Sequence, residues 1–454
     1  MTIRMPFQLK SGWQRSAPLV ALAFLLCLGF ATGGSSWPSE AGLGLLRGAA
    51  LVLAGLGLLA PGRRTVADFL PLWLLLGATI LLTLAHLTPL PFASWSHLPG
   101  RDIVAAADAI AGIGPVTRPL SLSPDATLDA LMSLSVPLAV LVLATQLDRK
   151  GHGYILRLVL ILLCLSAACS LLQAAGIPLH LYDEADRNAG LFANRNHQGV
   201  ALALVFPIAA TLYPVGARFG PKIWGLRLIL VAAALFVLPV IVLTGSRSGF
   251  ALAFLALLVS PVLFDDNSGN GLRGRQLRLT WLAMVAVAGL VAGGMAHTSR
   301  DAASARLALV GDDLRWPLWE SVAAVVPRYL PWGTGIGSFR ESYQIDEPDA
   351  MLRPTLSNHA HNDWLELVYT AGIPGALLGI AGLCLLLIAA RTARRWRGET
   401  RRYAILGVAM VTILAMASIT DYPLRTPVLT ALFALAAIWA WSGEGSARPG
   451  LRDA

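Results

Sequence analysis

The chain has 454 residues, 56% of them in the AVILMFWYC set and only 13% charged, with a mean hydropathy of +0.65, which excludes a soluble multidomain protein. Lys and Arg number 35 against 26 Asp and Glu, a net +9, but these cations are scattered between apolar blocks, so no nucleic-acid partner is indicated. Cys27, Cys164, Cys169 and Cys384 all fall within apolar runs and have no CxxC spacing, which argues against both a disulfide framework and a thiolate metal site.

Crossing a bilayer takes about 20 apolar residues in a helix. In chain order, runs of that kind cover 17–35, 41–60, 69–88, 128–146, 153–175, 198–214, 223–243, 247–264, 279–296, 364–390, 403–420 and 424–442, predicting about twelve spans. Pro207, Pro239, Pro261 and Pro374 inside these runs are read as kinks, which membrane helices tolerate when neighbours satisfy the freed carbonyls. The first run follows Arg4, Lys10 and Arg15, but no clear small-residue cleavage site comes after it, so it is read as a retained span. Neither an internal repeat nor a low-complexity linker stands out, and the fold class expected is an all-α integral membrane protein forming one polytopic domain over 1–454. Its longest polar stretch is a loop at 297–360 between spans nine and ten, expected to carry a short helix around Leu314 to Val326.

Positive loops near spans stay cytoplasmic. With the N-terminus inside, the inner segments collect most of the Lys and Arg, including every lysine (Lys10, Lys150, Lys222). Both termini are therefore expected in the cytoplasm, and the outer cations are all arginines, whose planar fork suits bidentate grasp of phosphate or carboxylate.

Polar residues collect on the outer side in Asn194–His197, Thr244–Gly249, Asp312–Trp316, Asn358–Asp363 and Asp421–Arg425. Four of the predicted spans begin at these clusters, pointing their free amides and positive dipole ends at one surface, where anions are favoured. The tightest turn, Thr244-Gly245-Ser246-Arg247-Ser248-Gly249, puts Arg247 on the first turn of a helix; a phosphate is its natural guest, and interfacial snorkelling is the bland alternative. His361 lies just before a helix whose N-terminal end disfavours further positive charge, so a neutral imidazole able to take a proton from a sugar hydroxyl is expected, against the alternative of a surface or capping histidine. His359, His361 and His197 together with Asp346, Glu347 and Asp349 match no strong metal pattern. The glycines Gly333, Gly335 and Gly337 form a loose Gly-rich stretch without the lysine of a nucleotide loop, and Arg315-Trp316-Pro317-Leu318-Trp319 also reads as an aromatic belt.

His361-Asn362, nine residues, then Gly372-Ile373-Pro374-Gly375 resembles the H-N-x9-G-x-x-G signature of the O-antigen ligase and polymerase superfamily of bacterial envelope proteins. The segment 245–248, the run Asn194 to His197, and Arg315 with Trp319 support the resemblance, which covers roughly 185–375. It implies an inverting, metal-independent glycosyltransferase with a GT-C-like membrane fold and no cofactor. The donor implied is a glycan on undecaprenyl diphosphate, and the acceptor a hydroxyl of lipid A core or another glycan, at the periplasmic face of the inner membrane.

Carried over by position, Arg247 and Arg315 would hold the diphosphate and His361 would deprotonate or steer the acceptor. Arg195, His197, Asn196, Ser246, His359, Asn362, Trp319 and Arg425 form the wider candidate substrate-binding set. The polyprenyl tail is expected in an apolar opening beside span eight. A short C-terminal tail after the last run argues mildly against the protein-glycosylating branch, while ligase and polymerase are not separated. The competing class is a non-enzymatic carrier of lipid-linked glycans, against which stands the near absence of Asp, Glu or His in span interiors.

Overall fold

The computed structural model describes residues 11–59, 66–183, 185–213, 222–263, 279, 281, 283, 315–352 and 356–441. Three helices open the chain, α1 (Ser11–Thr32), α2 (Ala41–Leu59) and α3 (Leu70–His86). A polar excursion comes next: β1 (Pro89–Leu90), short helices α4 (Phe92–Trp95) and α5 (Asp102–Ile110), and β2 (Arg118–Pro119), which pairs antiparallel with β1. The chain re-enters through α6 (Pro124–Ser133) and α7 (Ser135–Ala144), then α8 (Arg149–Ala174), whose N-cap Asp148 accepts a hydrogen bond from Gly151. The remaining helices are α9 (Arg195–Ala203), α10 (Val205–Leu212), α11 (Lys222–Thr244), α12 (Arg247–Val259), α13 (Arg315–Tyr329), α14 (Phe339–Tyr343), α15 (Asp363–Ala393), α16 (Gly398–Thr420) and α17 (Pro427–Trp441).

Among the described residues, seven helices or helix pairs are long and apolar enough to cross a membrane, and Ser16–Thr32, Arg247–Leu263 and Pro427–Trp441 are shorter apolar helices. The protein is thus an all-α membrane protein. Every apolar run of the sequence falls on described helix except 279–296, nearly all of which lies outside the described residues. The run 198–214 is not one rod: it divides at Leu204 into α9 and α10, and both pieces are buried. Residues 312–314 of the Asp312–Trp316 cluster also lie outside the described residues, and α13 begins at Arg315.

Burial separates inner from peripheral helices. Helix α17 and the α9–α10 pair bury nearly every apolar side chain, whereas α2, α3 and α15 leave Leu45, Leu56, Leu74, Leu81, Leu377 and Leu387 exposed. An apolar face with no protein partner costs little in lipid, which is as apolar as leucine.

One break in α15 sets the geometry of the site. The sequence points to Pro374 as the kink, but the non-helical residue is Gly372, at φ 60° and ψ −149°, a conformation essentially reserved for glycine. Pro374 deprives the Thr370 carbonyl of its helical donor, and the segment after α13 supplies a substitute. Gly335 N donates to Thr370 O at 2.8 Å and Thr334 N to Tyr369 O at 3.1 Å, while Ile373 N donates to Pro331 O at 2.9 Å. The freed backbone groups are thereby satisfied by protein, as a membrane helix requires. Gly333 lies so close to the Thr370 carbonyl that an added Cβ would sit 2.5 Å from it. The glycine-rich stretch is therefore a splice between α13 and α15. Around it Tyr329, Tyr369 and Phe339 pack edge to face, with centroid separations of 5.6 Å for both Tyr369 pairs.

Candidate functional site

Two helix N-termini stand side by side at one end of the bundle. Helix α9 is capped by Asn194, whose Oδ1 accepts from Asn196 N at 2.7 Å, and α12 by Ser246, whose Oγ accepts from Gly249 N at 3.0 Å. Each cap is followed at once by an arginine, Arg195 and Arg247, and both are exposed. What lets the helices approach is a glycine contact: a Cβ built on Gly249 would fall 2.7 Å from the Gly199 Cα. The turn before α12 uses Gly245 at φ 68°, and Arg195 Nη1 lies 3.8 Å from where a Cβ would stand there. Two guanidinium groups and two positive dipole ends are thus presented together, with the Asp186 carboxylate already accepting from Arg195 N at 3.1 Å, and the local field still favours an anion.

A second cluster is built around Asp421, which follows the C-terminus of α16. A carboxylate at a helix C-terminus opposes the helix dipole, so the position needs compensating partners. They are present. His361 Nδ1–H donates to Asp421 Oδ1 at 3.2 Å, Tyr422 N donates to the same oxygen at 3.0 Å, and Arg315 Nη2 lies 3.7 Å from Oδ2. His197 Nε2 is 3.9 Å from Oδ1, and its Nδ1 meets Thr426 Oγ1 at 2.8 Å. Asp421 is only 1% exposed. Burial raises its pKa, but the His361 hydrogen bond and the charges of His197, His361 and Arg315 outweigh this and hold the carboxyl well below its ordinary value. His361 itself is at φ 49°, in the left-handed region that a non-glycine residue occupies at a cost of about 1–2 kcal/mol.

Since a carboxylate only accepts hydrogen bonds, Asp421 selects the tautomer with the proton on Nδ1 and leaves His361 Nε2 as an acceptor. Trp319 Nε1 donates to the Ala360 carbonyl at 2.9 Å, tying α13 to the residue before His361.

Tyr422 joins the parts. Its ring touches those of His197 (4.9 Å), His359 (4.2 Å) and His361 (4.9 Å). Its hydroxyl accepts from Asn194 Nδ2 and Asn358 Nδ2, each at 3.4 Å. Asn194 is also the cap of α9, so the arginine pair and the His361–Asp421 cluster share one residue. Burial pushes the Tyr422 phenol up to about 12, which keeps it neutral.

His359 belongs to a third network. Its Nδ1–H faces Glu366 Oε1 and Oε2 at 3.1 and 3.2 Å, and Glu366 Oε2 also accepts from Ala360 N at 3.0 Å. Arg425 is held by acids on both sides, with Nη2 3.3 Å from Glu366 Oε1 and Nε 3.3 Å from Asp363 Oδ1.

The structure therefore brings His361, Arg315, His197, His359 and Trp319 into one neighbourhood and puts Arg247, Arg195 and Asn196 on the adjoining pair of helix ends. Several members of the candidate substrate set have local partners instead. Asn362 caps α15 by accepting from Leu365 N at 3.0 Å, Ser246 caps α12, and Arg425 is engaged by Asp363 and Glu366. The candidate set omitted Asp421, Tyr422 and Glu366. The available signals were Asp421-Tyr422 inside an outer polar cluster and Glu366, with Asp363, on the first turn of a largely apolar helix.

Among the described residues, a cavity of about 1000 Å³ lies between α3, α6, α7, α15, α16 and α17. Among the described residues, no three His, Cys, Asp or Glu side chains converge as a metal-holding group.

Residues 232–380 match the family model described as O-antigen ligase, a segment of about a third of the chain that runs from α11 through the break in α15. No curated protein matches the chain.

Proposed function

Starting from a chain that its matched segment places in the O-antigen ligase superfamily, we propose that this protein is a membrane glycosyltransferase. It moves a glycan from undecaprenyl diphosphate to a hydroxyl acceptor at the periplasmic face of the bacterial inner membrane, with inversion and without a metal. The architecture proposed is twelve-span and GT-C-like, with both termini cytoplasmic and 297–360 as a periplasmic loop.

The observation that carries this reading is the His361–Asp421–Arg315 arrangement, in which a buried carboxylate fixes an imidazole tautomer and meets a guanidinium supplied by a distant helix. The acceptor oxygen attacks the anomeric carbon as the bond from that carbon to the diphosphate oxygen breaks, and the leaving diphosphate takes the electron pair. The acceptor proton passes to His361 Nε2. Arg247 and Arg195 at the paired helix ends, and Arg315 beside Asp421, stabilise charge developing on the leaving group, more effectively at a membrane surface than in open water. A single guanidinium of this kind contributes about 2–4 kcal/mol to the transition state.

The test is transfer from a purified lipid-linked donor by the His361→Ala variant. A general base contributes about 10²- to 10⁴-fold, so the rate is expected to fall by that factor with the fold intact. Undiminished transfer would refute the role of His361. In cells, a deletion strain separates the two branches of the family: single capped repeats mean a polymerase was lost, and full-length polymer stranded on its carrier means a ligase was lost.

A further inference from the structure

The end of the bundle remote from His361 carries a second group of cations. Helix α15 runs away from His361 and α16 returns to Asp421, so Arg394 to Arg402 lie at that far end. Helix α8 begins there too, because Gln173 near its other end bonds to Gly190, close to the cap of α9. The two helices meet through side chains: Arg149 Nη2 donates to Thr400 Oγ1 at 3.3 Å, and Arg149 Nη1 lies 3.7 Å from Glu399 Oε2.

One arginine of α8 stands on a lipid-facing stripe, where charge is costly. Tyr154, Arg157, Ile161 and Leu165 follow helical spacing and all are exposed, the three uncharged ones by 57%, 62% and 52%. Arg157 is about 12 Å along the helix from Arg149. Its side chain bends back toward the helix start, with Cζ 5.8 Å from the Tyr154 ring centroid and Nη1 3.6 Å from the place a Cβ on Gly153 would take. The Tyr403 hydroxyl of α16 is also 3.6 Å from that place. Gly153 therefore leaves a notch between α8 and α16 with a guanidinium and a phenol at its rim, and snorkelling brings the Arg157 charge toward the depth of Arg149 and Lys150.

These charges are not cancelled locally. The Asp148 carboxylate caps α8 by accepting from Gly151 N at 2.8 Å, and Glu399 meets Arg149 with both side chains at least half exposed. Arg402 is committed elsewhere, donating to the carbonyls of Thr211 and Tyr213 at the end of α10. Among the described residues, neither Arg157 nor Lys150 has a carboxylate at ion-pair distance. An occupant that answers both features needs a negative head for the notch and hydrocarbon for the stripe below it. A soluble anion satisfies only the first, and a zwitterionic lipid brings its own cation into the cluster.

We propose that the notch at Gly153 is a binding site for an acidic phospholipid, its phosphate held between Arg149 and Arg157 and an acyl chain lying along Ile161 and Leu165. On the proposed topology this lipid belongs to the cytoplasmic leaflet, where anionic lipids meet basic pockets between helices. It bridges α8 and α16 at the end away from the transfer chemistry, and the assignment does not depend on the transferase reading.

The experiment uses the full chain in nanodiscs of equal parts phosphatidylglycerol and phosphatidylcholine, released for native mass spectrometry. Phosphatidylglycerol is expected to stay bound about tenfold more often than phosphatidylcholine. A cation at a membrane surface is worth about fivefold, so Arg157→Leu should lower that preference about fivefold, and Arg157→Leu with Arg149→Gln about tenfold or more. Leucine at 157 continues the apolar stripe, so the melting temperature in phosphatidylcholine alone should be unchanged. Arg394→Gln with Arg395→Gln removes equal charge from the same end of the bundle and should leave the preference within about twofold. Equal retention of both lipids by the unmodified protein would overturn the site. So would equal losses from the two double variants, which would mean diffuse surface charge, or inorganic phosphate stabilising the protein as strongly as phosphatidylglycerol does. Glycan transfer plays no part in the readout, so failure here leaves the transferase reading standing.

Discussion

Replacing Asp421 by Asn removes one negative charge while keeping the side chain's size, and the geometry fixes the consequences. With the amide oxygen at the Oδ1 position, Tyr422 N–H and His361 Nδ1–H both keep their acceptor, and the amide NH₂ is turned towards Arg315. What is lost is the negative charge that stabilises the imidazolium formed when His361 takes the acceptor proton. The guanidinium of Arg315, 3.7 Å away, loses a pairing whose gross Coulomb value is about 4 kcal/mol at the effective dielectric of a protein site. Much of that sum is offset by the desolvation the buried carboxylate no longer suffers. A stability loss of about 3 kcal/mol and a fall in transfer of about 10³-fold are expected.

The assay is single-turnover transfer from a lipid-linked donor, run with Asp421→Asn, His361→Ala and the double variant. Because the two residues act as one unit, the double variant should be no more than about twofold slower than His361→Ala. Full activity of Asp421→Asn, or multiplicative losses in the double variant, would refute the pairing of the Asp421 carboxylate with His361.

Acid stability depends on the same residue. The Asp421 pKa is depressed by folding, so its contribution is complete above the unfolded value of 3.8 and is lost as pH falls below it; the Asp421→Asn variant should lose less stability between about pH 4 and 2 in a fluorescence melt. Arg247→Lys keeps the charge but not the fork, and donor affinity should weaken about tenfold, read as a rise in KM with kcat less affected. In Gly372→Ala, a Cβ would be forced against the Pro331 carbonyl at a glycine-only conformation, costing about 3 kcal/mol and detaching the segment that fixes Arg315. Loss of a cooperative thermal transition together with transfer is the expected result; a stable, active Gly372→Ala protein contradicts the splice.

Much of the helical content was legible in the sequence because an apolar run of membrane length has few alternatives to a helix. The sixth run shows where that reading stops: hydropathy cannot distinguish one helix from two that step at Leu204. His361 could be found because motif spacing is local, and the spacing now has a physical reason. Asn362 starts α15, and Gly372 is where the helix opens to receive the Pro331–Gly335 segment that comes after α13. Asp421 could not be assigned to His361, 60 residues away, since only tertiary packing joins them. Arg425 illustrates the converse, because a guanidinium held by Asp363 and Glu366 reads in sequence just like one awaiting a ligand.

The Gly199–Gly249 contact has an energetic consequence of its own. By allowing two helices to touch backbone to backbone, it lines up two like-signed ends and two like-signed side chains, a repulsion that the Asp186 carboxylate, accepting from Arg195 N at 3.1 Å, offsets in part at the α9 end. An anion held between the two ends would offset the rest, so that occupancy and rigidity at this end of the bundle would rise together.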